Sequence, residues 1–187
     1  LDLTRIHLVH DDEAIELSGA VSGEELQNIQ LHATQIDLSY LQQLFRLPDI
    51  IGGRATFQMQ LAGTRAEPHF ESELTVQPAA SQRLPFTQFY NTLGYAQHQL
   101  HSTGRLHQGT REIVALDVRL PIDLALTAMP LPQRVLEAPL KVHMRLQESD
   151  PAMVYQWQPA SPRLAGTLQG SVDLQGTYTA LTLDVHA

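Results

Sequence analysis

The side chains that could do chemistry are the histidines and the carboxylates. The chain has nine histidines and no cysteine. Three histidines cluster in "HQLHSTGRLH", as His98, His101 and His107. On a strand, His101 and His107 share a face and His98 takes the other. No carboxylate stands close in sequence to complete a metal set, so these read as polar-face histidines. Paired acids that could serve hydrolysis occur as "DDE" at 11–13 and "ESE" at 71–73. Glu71 and Glu73 fall on one solvent face of a strand, and Asp11 to Glu13 read as a turn. No nucleophile elbow is present. Neither "GGRATF" nor "AGTLQGS" carries the lysine and following hydroxyl of a phosphate loop. Tyr155 and Trp157, in "MVYQWQP", read as a local core anchor or as residues at the mouth of a trough. The sequence therefore leads to a non-enzymatic protein with no cofactor and no metal.

Composition narrows the partners. Net charge is −8 and Lys141 is the only lysine, which argues against nucleic acid and against an anionic-lipid surface. Charged residues make up 17% of the 187, below the usual share, and Gln and Thr take their place. No run approaches the ~18 apolar residues of a membrane span. The chain starts in mid-pattern at Leu1, and the expectation is one β-repeat module, 1–187, cut from a longer protein.

The elements that must position any site repeat with period two, the mark of strands with one apolar face. In 55–61, Ala55, Phe57, Met59 and Leu61 oppose Thr56, Gln58 and Gln60. In 70–76, Phe70, Leu74 and Val76 oppose Glu71, Glu73 and Thr75. In 114–126, every even position from Val114 to Leu126 is apolar, including Leu116, Val118, Leu120, Ile122 and Leu124. Pro121 lies on the opposite face and must bend, bulge or edge that strand. In 140–147, Leu140, Val142, Met144 and Leu146 alternate with Lys141, His143, Arg145 and Gln147. Near the C-terminus Val172, Leu174, Leu183 and Val185 continue the pattern. Short strands are expected around Ile6/Leu8, Ile15/Leu17 and Ile29/Leu31/Ala33, with 22–28 as a turn. Helical spacing appears over 39–48, between Ser39 and Pro48, and over 85–94, through Phe86, Phe89, Tyr90 and Leu93. The fold class is all-β, mainly antiparallel, with one or two short helices.

One phrase occurs twice. Aligning Gly53 with Gly166 puts Gly63-Thr64 on Gly176-Thr177, Leu61 on Leu174, Pro68 on Leu181 and Phe70 on Leu183. Each copy reads as glycine, strand, Gly-Thr turn, strand. The pattern "GRATFQMQLAGTRAEP" resembles the recurring unit of the AsmA-like family, and more closely its TamB branch. "IDLSYLQQLFRLPDIIGGRATFQMQLAGT" is similar to that group's helix followed by a Gly-strand-Gly-Thr unit. "LDVRLPIDLAL" resembles its LP strand. "APLKVHMRLQESDPAMVYQWQPASPRLAGTLQGSVDLQGTYTALTLDV" resembles the next round in the same order. Leu181 departs from the family's proline after Gly-Thr. Over 85–107 the family suggests a hairpin where the spacing of 85–94 suggests a helix.

The resemblance implies an elongated curled sheet with an apolar groove, a β-taco. It implies a periplasmic module of a protein anchored in the inner membrane. The ligand would be a phospholipid or another acyl chain, carried for outer-membrane biogenesis. The partner of the full-length protein would be an outer-membrane barrel protein. Residue types alone leave two arrangements open. So many apolar faces exceed the few hundred Å² that a soluble monomer exposes. They either close into a sandwich or barrel or line an open trough. A second function also stays open, a protein-interaction module that assists outer-membrane protein assembly through its sheet edges.

Overall fold

The computed structural model describes residues 2–39, 52–79, 86–126, 134–149 and 166–186. It is a single antiparallel meander. The strands are β1 (Asp2–His10), β2 (Glu13–Ser22), β3 (Glu25–Asp37), β4 (Gly53–Thr64), β5 (Pro68–Pro78) and β6 (Gln88–Ala96). They continue as β7 (Gln99–Gln108), β8 (Arg111–Pro121), β9 (Leu140–Ser149), β10 (Leu168–Thr177) and β11 (Ala180–His186). Their spatial order is their chain order, and β1 and β11 are the two free edges. Ten gaps of about 4.8 Å make the sheet about 48 Å wide. Among the described residues the sheet is neither closed into a barrel nor covered by a second sheet. The closed barrel is thereby set aside.

The repeated phrase folds as the alignment requires. Leu61 pairs with Phe70 and Gly63 with Pro68. Leu174 pairs with Leu183 and Gly176 with Leu181. Both turn glycines take left-handed backbone, with φ of 98° at Gly63 and 131° at Gly176. A Cβ on Gly63 would stand 2.5 Å from the Glu67 carbonyl oxygen, so the close hairpin return demands glycine. The Thr64 hydroxyl then accepts the Glu67 N–H at 3.0 Å and braces the turn.

Three expectations need correction. Residues 88–94 are not helical but belong to β6. Phe89, Leu93 and Tyr95 share one face there, and pairing on both sides with β5 and β7 outweighs a weak local helical spacing. The turn expected over 22–28 shrinks to Gly23 and Glu24, because β3 already starts at Glu25. The apolar run 114–126 is not one strand. β8 stops at the fully buried Pro121, and Ile122 makes an isolated bridge to Val135. Ile122 and Leu124 thus leave the strand to which their alternation assigned them, since proline ends the ladder. The helix expected over 39–48 lies outside the described residues apart from Ser39, as do Tyr155 and Trp157.

Candidate functional site

The register lines the apolar residues up in transverse rows. One row runs Leu17, Leu31, Met59, Ser72, Leu93, Ser102, Val118, Val142, Leu174, Leu183. The next runs Ile15, Ala33, Phe57, Leu74, Asn91, Gly104, Leu116, Met144, Val172, Val185. Shorter rows flank them, Leu61–Phe70–Tyr95–Leu100–Leu120 on one side and Val76–Phe89–Leu106–Val114–Leu146 on the other. From Phe57 to Leu120 and from Val142 to Val185 the expected groove residues fall on these rows, whereas Ile122 and Leu124 do not. Sequence reasoning missed the share of β6 and β7, namely Phe89, Leu93, Tyr95, Leu100 and Leu106. Asn91, Ser102 and Gly104 interrupt the alternation there. The signal was present in Phe89, Leu93 and Tyr95, spaced by even numbers.

The interruptions are satisfied within the sheet. Asn91 Nδ2 donates to Ser102 Oγ at 2.8 Å and to the Thr103 carbonyl at 3.1 Å. The Phe89 ring comes within 3.3 Å of where a Gly104 Cβ would stand, covering the bare backbone. Phe70 and Tyr95 stack at 5.6 Å.

Burial differs between the two faces of β4. In β4, Phe57, Met59 and Leu61 are half-buried and Gln58 and Gln60 are exposed. In β8, Leu116, Val118 and Leu120 are likewise half-buried. Exposure rises toward the edges. Leu183 and Val185 on β11 are 61% and 63% exposed, and Leu8 on β1 is 60% exposed. Met144, inside the sheet, keeps 38%.

One rim of the apolar face carries a strap. After Pro121 the chain crosses the ends of the neighbouring strands. Ile122 N–H donates to the His98 carbonyl at 2.9 Å, Leu124 N–H to the Tyr95 hydroxyl at 2.9 Å and Leu126 N–H to the Arg65 carbonyl at 2.7 Å. Arg134 Nη1 holds the strap from outside through the Asp123 and Ala125 carbonyls at 3.1 and 2.7 Å. Tyr95, Pro121 and the strap's own Ala125 are buried. Ile122 and Leu124 therefore serve the rim rather than the strand.

The opposite face is polar. His143 Nδ1 meets Asp173 Oδ1 at 2.8 Å and His101 Nε2 meets Asp117 Oδ2 at 3.1 Å. Arg105 pairs with Glu112 at 3.3 Å. These carboxylates come from neighbouring strands, which is why sequence proximity did not reveal them. Asp173 and Asp117 each meet one histidine, Glu112 meets arginines, and no group of three metal-ligating side chains forms among the described residues. His107 packs edge-on to Tyr90 at 5.3 Å. Glu71 and Glu73 stand exposed on this face.

Asp37 is the carboxylate whose acidity is displaced. The Ser39 backbone N–H donates to its Oδ1 at 2.8 Å, and this bond holds the carboxyl below its ordinary range. The Ser39 side chain and the nearby Arg54 charge act in the same direction, against a small opposing effect of burial.

These features define a class of protein, an open single-layer antiparallel β-meander with one apolar and one polar face. No family model, curated protein or solved structure matches the chain.

Proposed function

We propose that the apolar face lines a trough that shields lipid acyl chains. In this reading the sheet curls around its apolar rows, and the strap at 122–126 guards one rim. The chain is a non-enzymatic periplasmic module of an envelope-spanning TamB/AsmA-like protein, anchored in the inner membrane. It passes phospholipid for outer-membrane biogenesis, alongside an outer-membrane barrel partner. The carrying observation is the set of transverse apolar rows, interrupted only at Ser72, Asn91, Ser102 and Gly104, on a single sheet among the described residues. A face about 48 Å wide and about 30 Å along the strands spans on the order of 1,400 Å². An acyl chain gains about 0.8 kcal/mol for each methylene it buries there. Such a surface selects for apolarity and shape and needs no headgroup contact.

The test is native mass spectrometry of the purified chain after exposure to phosphatidylglycerol vesicles. The reading expects bound phospholipid that is displaced by competing fatty acid. A chain that stays lipid-free in this assay refutes it.

The bare edges favour a second reading, assistance to outer-membrane protein assembly by strand pairing. Among the described residues β1 and β11 are the edge strands, beside exposed Leu8, Leu183 and Val185. Replacing Thr182, which alternates to the polar face of the edge strand β11, with Pro should weaken capture of an unfolded barrel protein and leave lipid binding unchanged. Retained capture in that variant argues against edge pairing.

A further inference from the structure

The polar face is not uniform. It carries a hollow of about 1010 Å³ where β4 to β7 turn back, and a smaller one of about 330 Å³ adjoins it. Gln60, Glu71, Gly94 and His101 line both. These four are direct neighbours in one transverse row, so Gly94 is the gap in a rib of long polar side chains.

The presence of glycine at 94 has no backbone cause. Its φ is not left-handed, and a Cβ added there meets nothing nearer than the Phe70 carbonyl oxygen at 4.0 Å. This sets it apart from Gly63 and Gly176, which the hairpin geometry requires, and from Gly104, which the Phe89 ring covers. A glycine inside a strand costs stability and often marks a place where a ligand approaches the backbone. Around this bare floor the side chains of Gln60, His69 and Glu71 make no hydrogen bond or ion pair among the described residues. His98 and His101 stand at its margin, each beside one carboxylate.

The lining chemistry selects the occupant. No Lys or Arg lines the larger hollow, which disfavours phosphate and other anions. The absence of a three-ligand group among the described residues disfavours a metal ion. Leu61, Phe70 and Tyr95 also border the hollow, although by register they alternate with Gln60, Glu71 and Gly94 and belong to the apolar rows. Amide side chains outnumber carboxylates four to two, which favours a neutral ligand over a cation. Amides, carboxylates and imidazoles together offer both donors and acceptors, the complement of vicinal hydroxyls. We infer that this Gly94-floored hollow on the polar face is a binding site for a neutral glycan, one sugar ring resting on the bare backbone of β6. The site lies on the face opposite the apolar rows and does not depend on the lipid reading.

The test is a proton–nitrogen NMR titration of the chain with chitotriose, a neutral N-acetylglucosamine trimer, with spermidine run in parallel. Saturable shifts centred on the amides of Glu71, Gly94 and His101 are expected, with millimolar affinity because no aromatic ring stacks on the sugar. Gly94→Ala adds a Cβ that meets nothing nearer than 4.0 Å, so it should melt no lower than the parent and weaken chitotriose about tenfold or more. Glu71→Ala, an exposed change, should weaken it as well with the fold intact. Lipid binding should be the same in all three proteins. The assignment is overturned if chitotriose leaves those amides unmoved, if both variants bind it as the parent does, or if spermidine alone moves them.

Discussion

Placing a charge at Met144 separates an open trough from a closed core. Met144 sits in the middle of a transverse row, between Leu116 on β8 and Val172 on β10. It is 38% exposed, so about three-fifths of the residue is buried. Full burial of a methionine side chain contributes about 1.5–3 kcal/mol. Met144→Glu therefore forfeits about 1–2 kcal/mol of apolar burial, and its carboxylate can reach water across the open face. With a urea slope of about 2 kcal/mol per molar, the midpoint should fall by about 0.5–1 M. A carboxylate forced into a closed core would instead cost several kcal/mol more and unfold the chain. Urea titration followed by circular dichroism reads this difference. Native mass spectrometry of the folded variant should show phospholipid lost, because the charge interrupts the row. An unfolded Met144→Glu refutes the open face, and a folded variant that still carries lipid refutes the trough.

Other outcomes follow from the geometry. Gly63→Ala puts a Cβ against the Glu67 carbonyl at a φ of 98° and should destabilise the chain by about 1–3 kcal/mol by urea titration. Gly23→Ala, with nothing within 4 Å, should cost less. Tyr95→Phe removes the hydroxyl that accepts the Leu124 N–H. It should lower stability by about 1–3 kcal/mol and speed amide exchange at Leu124 ahead of the strand amides. Asp37 has its pKa lowered in the folded state, so its contribution is complete above the ordinary value of 3.8 and fades as pH falls through the lowered value. Asp37→Asn should consequently lower the melting temperature at pH 6 and converge with the parent under strong acid.

The period-two alternation by itself determined the strand-rich class, the location of β4, β5 and β9, and the face on which Phe57, Met59 and Leu61 lie. It did so because a half-buried strand must alternate, and because Gly63-Thr64 and Gly176-Thr177 mark turns that only glycine can make. Where alternation was interrupted, the local signal failed. Asn91, Ser102 and Gly104 hid β6 and β7, since their fitness depends on hydrogen bonds and ring cover supplied by neighbouring strands. Alternation also ran straight through Pro121, although the chain leaves the sheet there to form the strap held by His98, Tyr95 and Arg65. Tertiary structure alone decided the order of the strands, the single open layer, the histidine–carboxylate pairs and the hollow beside Gly94. Each is set by cross-strand register, which joins residues far apart in sequence and leaves no trace in local spacing.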